Sequence, residues 1–226
     1  MITPTLDLER DLAARGYDLI AGFDEVGRGA LAGPVMVGCA VIRAKDLAHL
    51  AVPDGVADSK LLTEHRREAI HDELTDWAAA WAVGAASNAE IDEWGITHAL
   101  GIAALRALAE AERKLGVGDS GVRVGAILDG PSDYITKALN TFDAPDVPVP
   151  ADVTTKVKGD RSCATVATAA VIAKVTRDRL MTALADDPRY AVYEWAHNKG
   201  YGTEAHRAAI AEHGPSDLHR LSWKLV

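Results

Sequence analysis

The sequence predicts an α/β protein built on a central mixed β-sheet flanked by helices. Three observations carry that expectation: apolar runs of strand length that stop at charged or glycine-rich segments, longer stretches with apolar residues at helical spacing, and an order in which paired strands come first and helices then alternate with strands. With 226 residues, 48% of them hydrophobic, the chain can bury a large core, which excludes disordered, collagen-like and miniprotein classes. A single domain over residues 1–226 is expected, without repeats or an interdomain linker.

Residues 19–23 form a short apolar run that stops at Asp24 and Glu25; Gly27-Arg28-Gly29 then makes a turn into the apolar run 35–42, so two buried strands joined by a glycine-rich connection are expected. Around Pro53, Asp54 and Gly55 the pattern dissolves into a loop that ends in Asp58-Ser59-Lys60. Thr63 is a candidate N-cap, and Ile70, Leu74, Trp77 and Trp81 mark one face of the following helix. Gly84 interrupts that pattern, so residues 81–86 read alternatively as a third strand. A second helix spans 97–115, with Leu100, Ala104, Leu108, Ala111 and Leu115 on one face and Gly116 as its stop.

Residues 122–128 read as the next strand, broken at Asp129-Gly130-Pro131, and an irregular proline-containing stretch leads to a strand at 153–157. The Ala-rich segment from Ser162 to about Ala185 reads as a buried helix that turns toward solvent at Arg177, Asp178 and Arg179. Past Pro188 come an aromatic stretch (Tyr190, Tyr193, Trp195), a glycine-rich loop at 198–203, a short helix and a tail.

The 33 acidic and 24 basic side chains leave a net charge of −9, which argues against a generic nucleic-acid binder with a basic surface. The acidity belongs to residues 1–150, with 13 basic and 24 acidic side chains; residues 151–226 carry 11 basic and 9 acidic ones. In that last third Lys158, Arg161, Lys174, Arg177 and Lys199 are candidates to line a nucleic-acid backbone track. Cys39 and Cys163 have no metal-binding spacing and read as small buried hydrophobes of a reducing compartment. There is no apolar run of signal length and none near the roughly 20 residues that span a bilayer, so a cytoplasmic monomer without membrane contact is expected.

Asp24 and Glu25 follow one apolar strand and Asp129 follows another. In open α/β sheets functional groups gather at strand ends, where side chains project into a crevice while the sheet holds the backbone. Clustered carboxylates repel unless a cation sits among them, and an all-oxygen ligand set suits Mg²⁺ or Mn²⁺. Each acid alone reads equally as a solvated turn former. Gly27-Arg28-Gly29 is either a hairpin turn or a cradle where backbone N–H groups and Arg28 face an anion. Asp58-Ser59-Lys60 is either a surface loop or a phosphate contact. Lys158-Gly159-Asp160 supplies a fourth acid on a loop, and Tyr201, between Gly200 and Gly202, is expected to be exposed, either stacking on a sugar or base or anchoring its loop.

Taken in order, Gly22-Phe23-Asp24-Glu25-Val26-Gly27-Arg28-Gly29 with Leu31-Ala32-Gly33-Pro34-Val35, then Asp58-Ser59-Lys60, Leu128-Asp129-Gly130, Lys158-Gly159-Asp160, Ala173-Lys174-Val175-Thr176-Arg177-Asp178 and Asn198-Lys199-Gly200-Tyr201-Gly202 closely resemble the bacterial type 2 ribonuclease H family, ribonuclease HII. The resemblance runs from about residue 18 to His219-Arg220-Leu221-Ser222. It implies a ribonuclease H-like fold whose C-terminal helical part, from about residue 188, contributes to substrate binding. It also implies hydrolysis of the RNA strand of RNA–DNA hybrids and nicking 5′ of single ribonucleotides in duplex DNA, with Mg²⁺ or Mn²⁺, leaving 3′-hydroxyl and 5′-phosphate ends. By the same resemblance Asp24, Glu25, Asp129 and Asp160 are the catalytic acids, the first three of them metal ligands. Gly27, Arg28 and Gly29 would sense the ribose 2′-hydroxyl, Tyr201 would stack on the following deoxyribose, and Ser59 and Lys60 would lie near the substrate backbone.

Ala30 stands where the family often has Pro, and residues 167–170 read Ala-Thr-Ala-Ala where many relatives end in Ser. The absence of a large N-terminal extension favours type 2 over type 3. Phosphodiester hydrolysis through two divalent ions held by carboxylates is the mechanism expected. A metal-dependent phosphoesterase for a small substrate would need the same acids without Tyr201 or the positive last third, and a noncatalytic nucleic-acid binder would not need all four acids.

Overall fold

The computed structural model describes residues 3–56, 62–118 and 121–226. Helix α1 (Asp7–Ala14) precedes strands β1 (Leu19–Val26) and β2 (Val35–Arg43); α2 (Glu64–Trp77), β3 (Ala80–Ala86), α3 (Asn88–Trp94), α4 (Ile96–Leu115), β4 (Val124–Asp129), α5 (Ile135–Leu139), β5 (Asp152–Lys156), α6 (Gly159–Ser162) and α7 (Ala164–Ala185) follow, and α8 (Trp195–Asn198) and α9 (Glu204–His213) end the order. The sheet order is β3-β2-β1-β4-β5. β1 pairs antiparallel with β2 and parallel with β4, so the C-terminal ends of β1 and β4 lie side by side in the middle of a mixed sheet.

Strand alternation sends Leu19, Ala21 and Phe23 to one face, where they pack with Leu100, Ala104 and Leu108 of α4. The opposite face carries Ile20 and Ile127 against Val166 at the start of α7. That helix lies unusually close to the sheet because the strand positions beneath it have no side chain. A Cβ at Gly22 would stand 2.6 Å from Thr165 Cβ, and one at Gly38 would stand 3.0 Å from the Ala169 carbonyl carbon. The small Ala and Thr residues of α7 are thus the counterpart of strand glycines, and the acids at the end of β1 are brought against that helix.

The C-terminal part closes on the segment between β1 and β2. Tyr190 and Tyr193 stack on Trp195 at centroid distances of 4.9 and 5.4 Å, and the three bury with Leu31, Ala32, Met181 and Ile210. Main-chain pairing completes the closure: the Leu31 and Ala32 amides donate to the Gly200 carbonyl, the Gly33 amide to Leu218, and the Arg220 amide to Leu31.

Several expectations need correction. β1 runs on through Val26, so Asp24 and Glu25 are strand residues and point to opposite faces. Of the two readings open for Trp81, the strand one holds: it lies in β3 and not in the preceding helix, because the chain turns extended at Ala78. β4 begins two residues later than expected and β5 one residue earlier. Helices α1, α3 and α5 lie in stretches not read as helical. Asp160 sits on the single-turn α6, entered through Lys158 in the left-handed conformation (φ 58°), and not on a loop. Arg177 and Asp178 do not face solvent: Arg177 is fully buried, and Asp178 pairs with Lys174 at 2.6 Å and Arg67 at 3.6 Å. Arg179 alone of the three faces outward, in an ion pair with Glu68. Both cysteines are buried and unpaired, as expected, with burial pushing the Cys163 thiol up to about 11. Among the described residues no helix is long and apolar enough to cross a membrane.

Candidate active site

Asp24 and Asp129 lie in register one step beyond the Phe23–Leu128 pair, on adjacent parallel strands and on the face covered by α7. A backbone amide orients each carboxylate: the Glu25 amide donates to Asp24 Oδ1 at 2.9 Å, and the Gly159 amide donates to Asp129 Oδ1 at 2.7 Å. The second bond brings α6, and with it the buried Asp160, to the end of β4. The positive end of the sheet cleft is supplied from α7, where half-buried Lys174 lines the same cleft as Asp24, Gly27 and Tyr201.

Glu25 occupies the other face. Its Oε2 accepts from the Tyr134 hydroxyl at 3.2 Å, and its Oε1 pairs with Arg28 at 3.2 Å. Tyr134 is buried below α4, where desolvation and then the neighbouring Glu25 carboxylate push its phenol well above the ordinary range, so it remains a donor. Glu25 and Arg28 also line a second cleft with Asp129 and Tyr134, so the two clefts meet across the strand ends. Glu25 therefore lies on the sheet face opposite Asp24, in a cleft it shares with Asp129. Strand alternation accounts for this, and among the described residues no three His, Cys, Asp or Glu side chains are already gathered closely enough to hold a metal ion.

Gly27 takes a φ of +79°, and a Cβ there would stand 2.7 Å from Arg177 Cζ, so the turn needs glycine for its conformation and for the guanidinium packed beneath it. Gly29 is exposed, and a Cβ there would meet nothing within 4 Å. Tyr201 is half-buried, not exposed: its hydroxyl accepts from the Gly27 amide at 3.1 Å, and Arg177 lies over its ring at 5.4 Å. The ring is thus set beside the glycine turn with its orientation fixed. Of the five cations proposed for a backbone track, Arg177 and Lys199 are buried; Lys199 Nζ donates to Ala196 O at 2.6 Å and Thr182 Oγ1 at 2.9 Å. Lys158 and Arg161 are exposed beside Asp160. Ser59 and Lys60 lie outside the described residues.

Tyr134 touches this site through a hydrogen bond that no motif announced, and Arg177 and Arg220, though they lie in matched motifs, hold the glycine segment from behind instead of facing substrate. Tyr134 follows Asp129-Gly130-Pro131 by a few residues, but nothing local tells a buried phenol from a surface one. The donor set at the strand ends is entirely carboxylate oxygen, without His or Cys, which fits a hard divalent cation such as Mg²⁺ or Mn²⁺.

A mixed five-stranded sheet flanked by helices, with carboxylates on the ends of its two central parallel strands, defines a hydrolase of the ribonuclease H type. The sequence model of the ribonuclease HII family matches residues 21–226. The chain belongs to the ribonuclease HII family. It is 45% identical over 221 residues to the ribonuclease HII of Streptomyces avermitilis, covering 97% of this chain and 83% of that protein. The crystal structure of the ribonuclease H2 from Pyrococcus horikoshii superposes with a TM-score of 0.65 at 25% identity, covering 92% of this chain and 94% of that one. A ribonuclease HIII solved in complex with Mn²⁺ shares the fold, with a TM-score of 0.69 at 21% identity over 95% of this chain and 70% of that one.

Proposed function

We propose that the protein is a divalent-metal-dependent endoribonuclease that cuts the RNA strand of RNA–DNA hybrids and nicks 5′ of single ribonucleotides embedded in duplex DNA, leaving 3′-hydroxyl and 5′-phosphate ends. The observation that carries this reading is the bond between the Gly27 amide and the Tyr201 hydroxyl, which sets a sugar-sized aromatic face beside an exposed glycine turn, next to Asp24. A small-molecule phosphatase has no use for that pairing. A 2′-hydroxyl is the feature that separates RNA from DNA at one nucleotide, and a backbone turn reads it without reading bases. Cutting is therefore independent of base sequence.

In this reading Asp24, Glu25 and Asp129 would hold the metal, and Asp160 on α6 would be the fourth acid of the site. When bound, divalent ions supply an activated water and charge neutralisation at the leaving 3′-oxygen. Lys174, paired with Asp178 beside the cleft, faces the substrate phosphodiester, while Lys158 and Arg161 contact the backbone beyond it. Ser59 and Lys60 are proposed, from the motif alone, to add a contact to the backbone.

The test is a labelled DNA duplex carrying one ribonucleotide, incubated with Mg²⁺ or Mn²⁺. A single cut 5′ of the ribonucleotide is expected, and an intact duplex alongside hydrolysis of a small phosphoester would replace this reading with a phosphoesterase. The Asp129→Asn variant should lose at least about a hundredfold in rate, since it removes a charge that no other side chain replaces; full nicking activity in that variant would sink the metal assignment.

A further inference from the structure

Two guanidinium groups are buried behind the segment from Gly27 to Pro34. Arg220 is fully buried; its Nη2 donates to Gly27 O at 2.6 Å and Gly33 O at 3.1 Å, its Nη1 to Arg28 O at 2.9 Å, and its Nε to Gly33 O at 3.2 Å. Arg177 donates to Pro34 O at 3.0 Å, Ala32 O at 3.1 Å and Lys199 O at 2.8 Å. Five carbonyls of one eight-residue segment are therefore drawn inward onto two cations, and among the described residues neither cation donates to a carboxylate. Peptide planes whose carbonyls turn inward present their N–H groups outward. The amides of Arg28 and Gly29 have no protein acceptor among the described residues, and both residues line the cleft.

Burying unpaired cations is costly, and folds retain them where they set a geometry that nothing cheaper can. Only a guanidinium can do so here, because a fixed planar fork must reach three carbonyls at once. Burial, reinforced by Arg177, lowers Arg220 to about 9, so it stays charged at neutral pH. The segment that carries Arg220 is itself fixed: Asp92 of α3 accepts from the Leu221 and Ser222 amides, and Asn88 donates to the His219 carbonyl.

We propose that Arg220, supported by Arg177, is a positioning residue for ribose recognition: it imposes the amide-outward shape of Gly27–Gly29 and places positive charge behind the turn that receives the ribose hydroxyl and its phosphodiester. This rests on the endoribonuclease reading above. Arg220 touches no substrate atom and acts through the turn.

The experiment compares full-length Arg220→Lys, Arg220→Met and Ile210→Ala variants with the unaltered chain on the single-ribonucleotide duplex, measuring kcat, KM and melting temperature. Loss of a charged hydrogen-bond donor to buried carbonyls lowers kcat/KM about tenfold to a hundredfold, and in Arg220→Met the loss appears mainly in KM. Arg220→Lys, which keeps the charge without the fork, lies between. Ile210→Ala opens a cavity in the same C-terminal cluster and lowers the melting temperature while KM stays within twofold. A folded Arg220→Met with unchanged KM overturns the proposal, and should it fail to fold, an Arg220→Lys variant with unchanged KM does so. If the unaltered chain leaves the ribonucleotide duplex whole, the endoribonuclease reading falls, whatever the variants do.

Discussion

Replacing Gly22 by Ala tests how the sheet delivers its acids. A Cβ there would lie 2.6 Å from Thr165 Cβ and closer still to the Thr165 and Val166 main chain, whereas ordinary contact begins near 3.4 Å. The N-terminal turns of α7 must therefore retreat by at least the difference, 0.8 Å, and the neighbour is helix backbone, which cannot swing aside like a side chain. Overpacking of this kind costs about 1–3 kcal/mol, which in a chain of this size lowers the melting temperature by roughly 2–12 °C. The larger effect is on chemistry. Asp24 lies two residues along the same face, and Asp160 is joined to the start of α7, so the retreat widens the gap between acids proposed to act together. A misplacement of about 1 Å can cost around a hundredfold in rate. Calorimetry and single-turnover cleavage of the ribonucleotide duplex measure the two effects separately. A Gly22→Ala protein that melts and cleaves like the unaltered chain would refute the claim that close approach of α7 to β1 sets the site.

Two further predictions concern pH, and they oppose each other. Burial, helped by the neighbouring His206, lowers buried His219 to about 4. Its contribution to stability is therefore full above the unfolded value of about 6.5 and is lost as the pH falls, a loss on the order of 2 kcal/mol between pH 7 and 5. Burial raises Glu112 to about 7, so its contribution is full below the unfolded carboxylate range and is lost, on a similar order of about 2 kcal/mol, as the pH rises from 5 to 7. Urea melts at the two pH values should show His219→Gln more stable at pH 5 than at pH 7, and Glu112→Gln the reverse, each relative to the unaltered chain. Matching pH profiles in all three proteins would contradict both assignments.

The parts of the fold that announced themselves are those with long uninterrupted patterns. The two strands flanking Gly27-Arg28-Gly29 and the helix from Ile96 to Leu115 are read from apolar spacing and a glycine stop, and the structure has them within a few residues. Helix α3 was legible in principle, because Ser87 and Glu90 form a capping box, but its seven residues carry too short a pattern to stand out beside neighbouring strand and helix. Arg177 and Tyr201 were misread for one reason. A charged helix exit and a tyrosine between glycines look solvent-facing locally, and only the packing of residues 190–220 over the first strand pair buries them. Asp24 and Asp129 share a face because of a parallel strand pairing between residues a hundred positions apart, which no local pattern specifies.

That same long-range closure has a bearing on synthesis. The turn at Gly27–Gly29 leaves the ribosome early, yet the Gly27 and Arg28 carbonyls receive the Arg220 guanidinium, and the Gly27 amide its tyrosine hydroxyl, only when residues 201 and 220 arrive. Vectorial folding can build the sheet from β1 to β5 well before the turn has a defined conformation. A nascent chain thus carries the strand-end acids without a finished glycine turn, and on the proposed reading competence to select a substrate arrives last, after nearly two hundred more residues have been made.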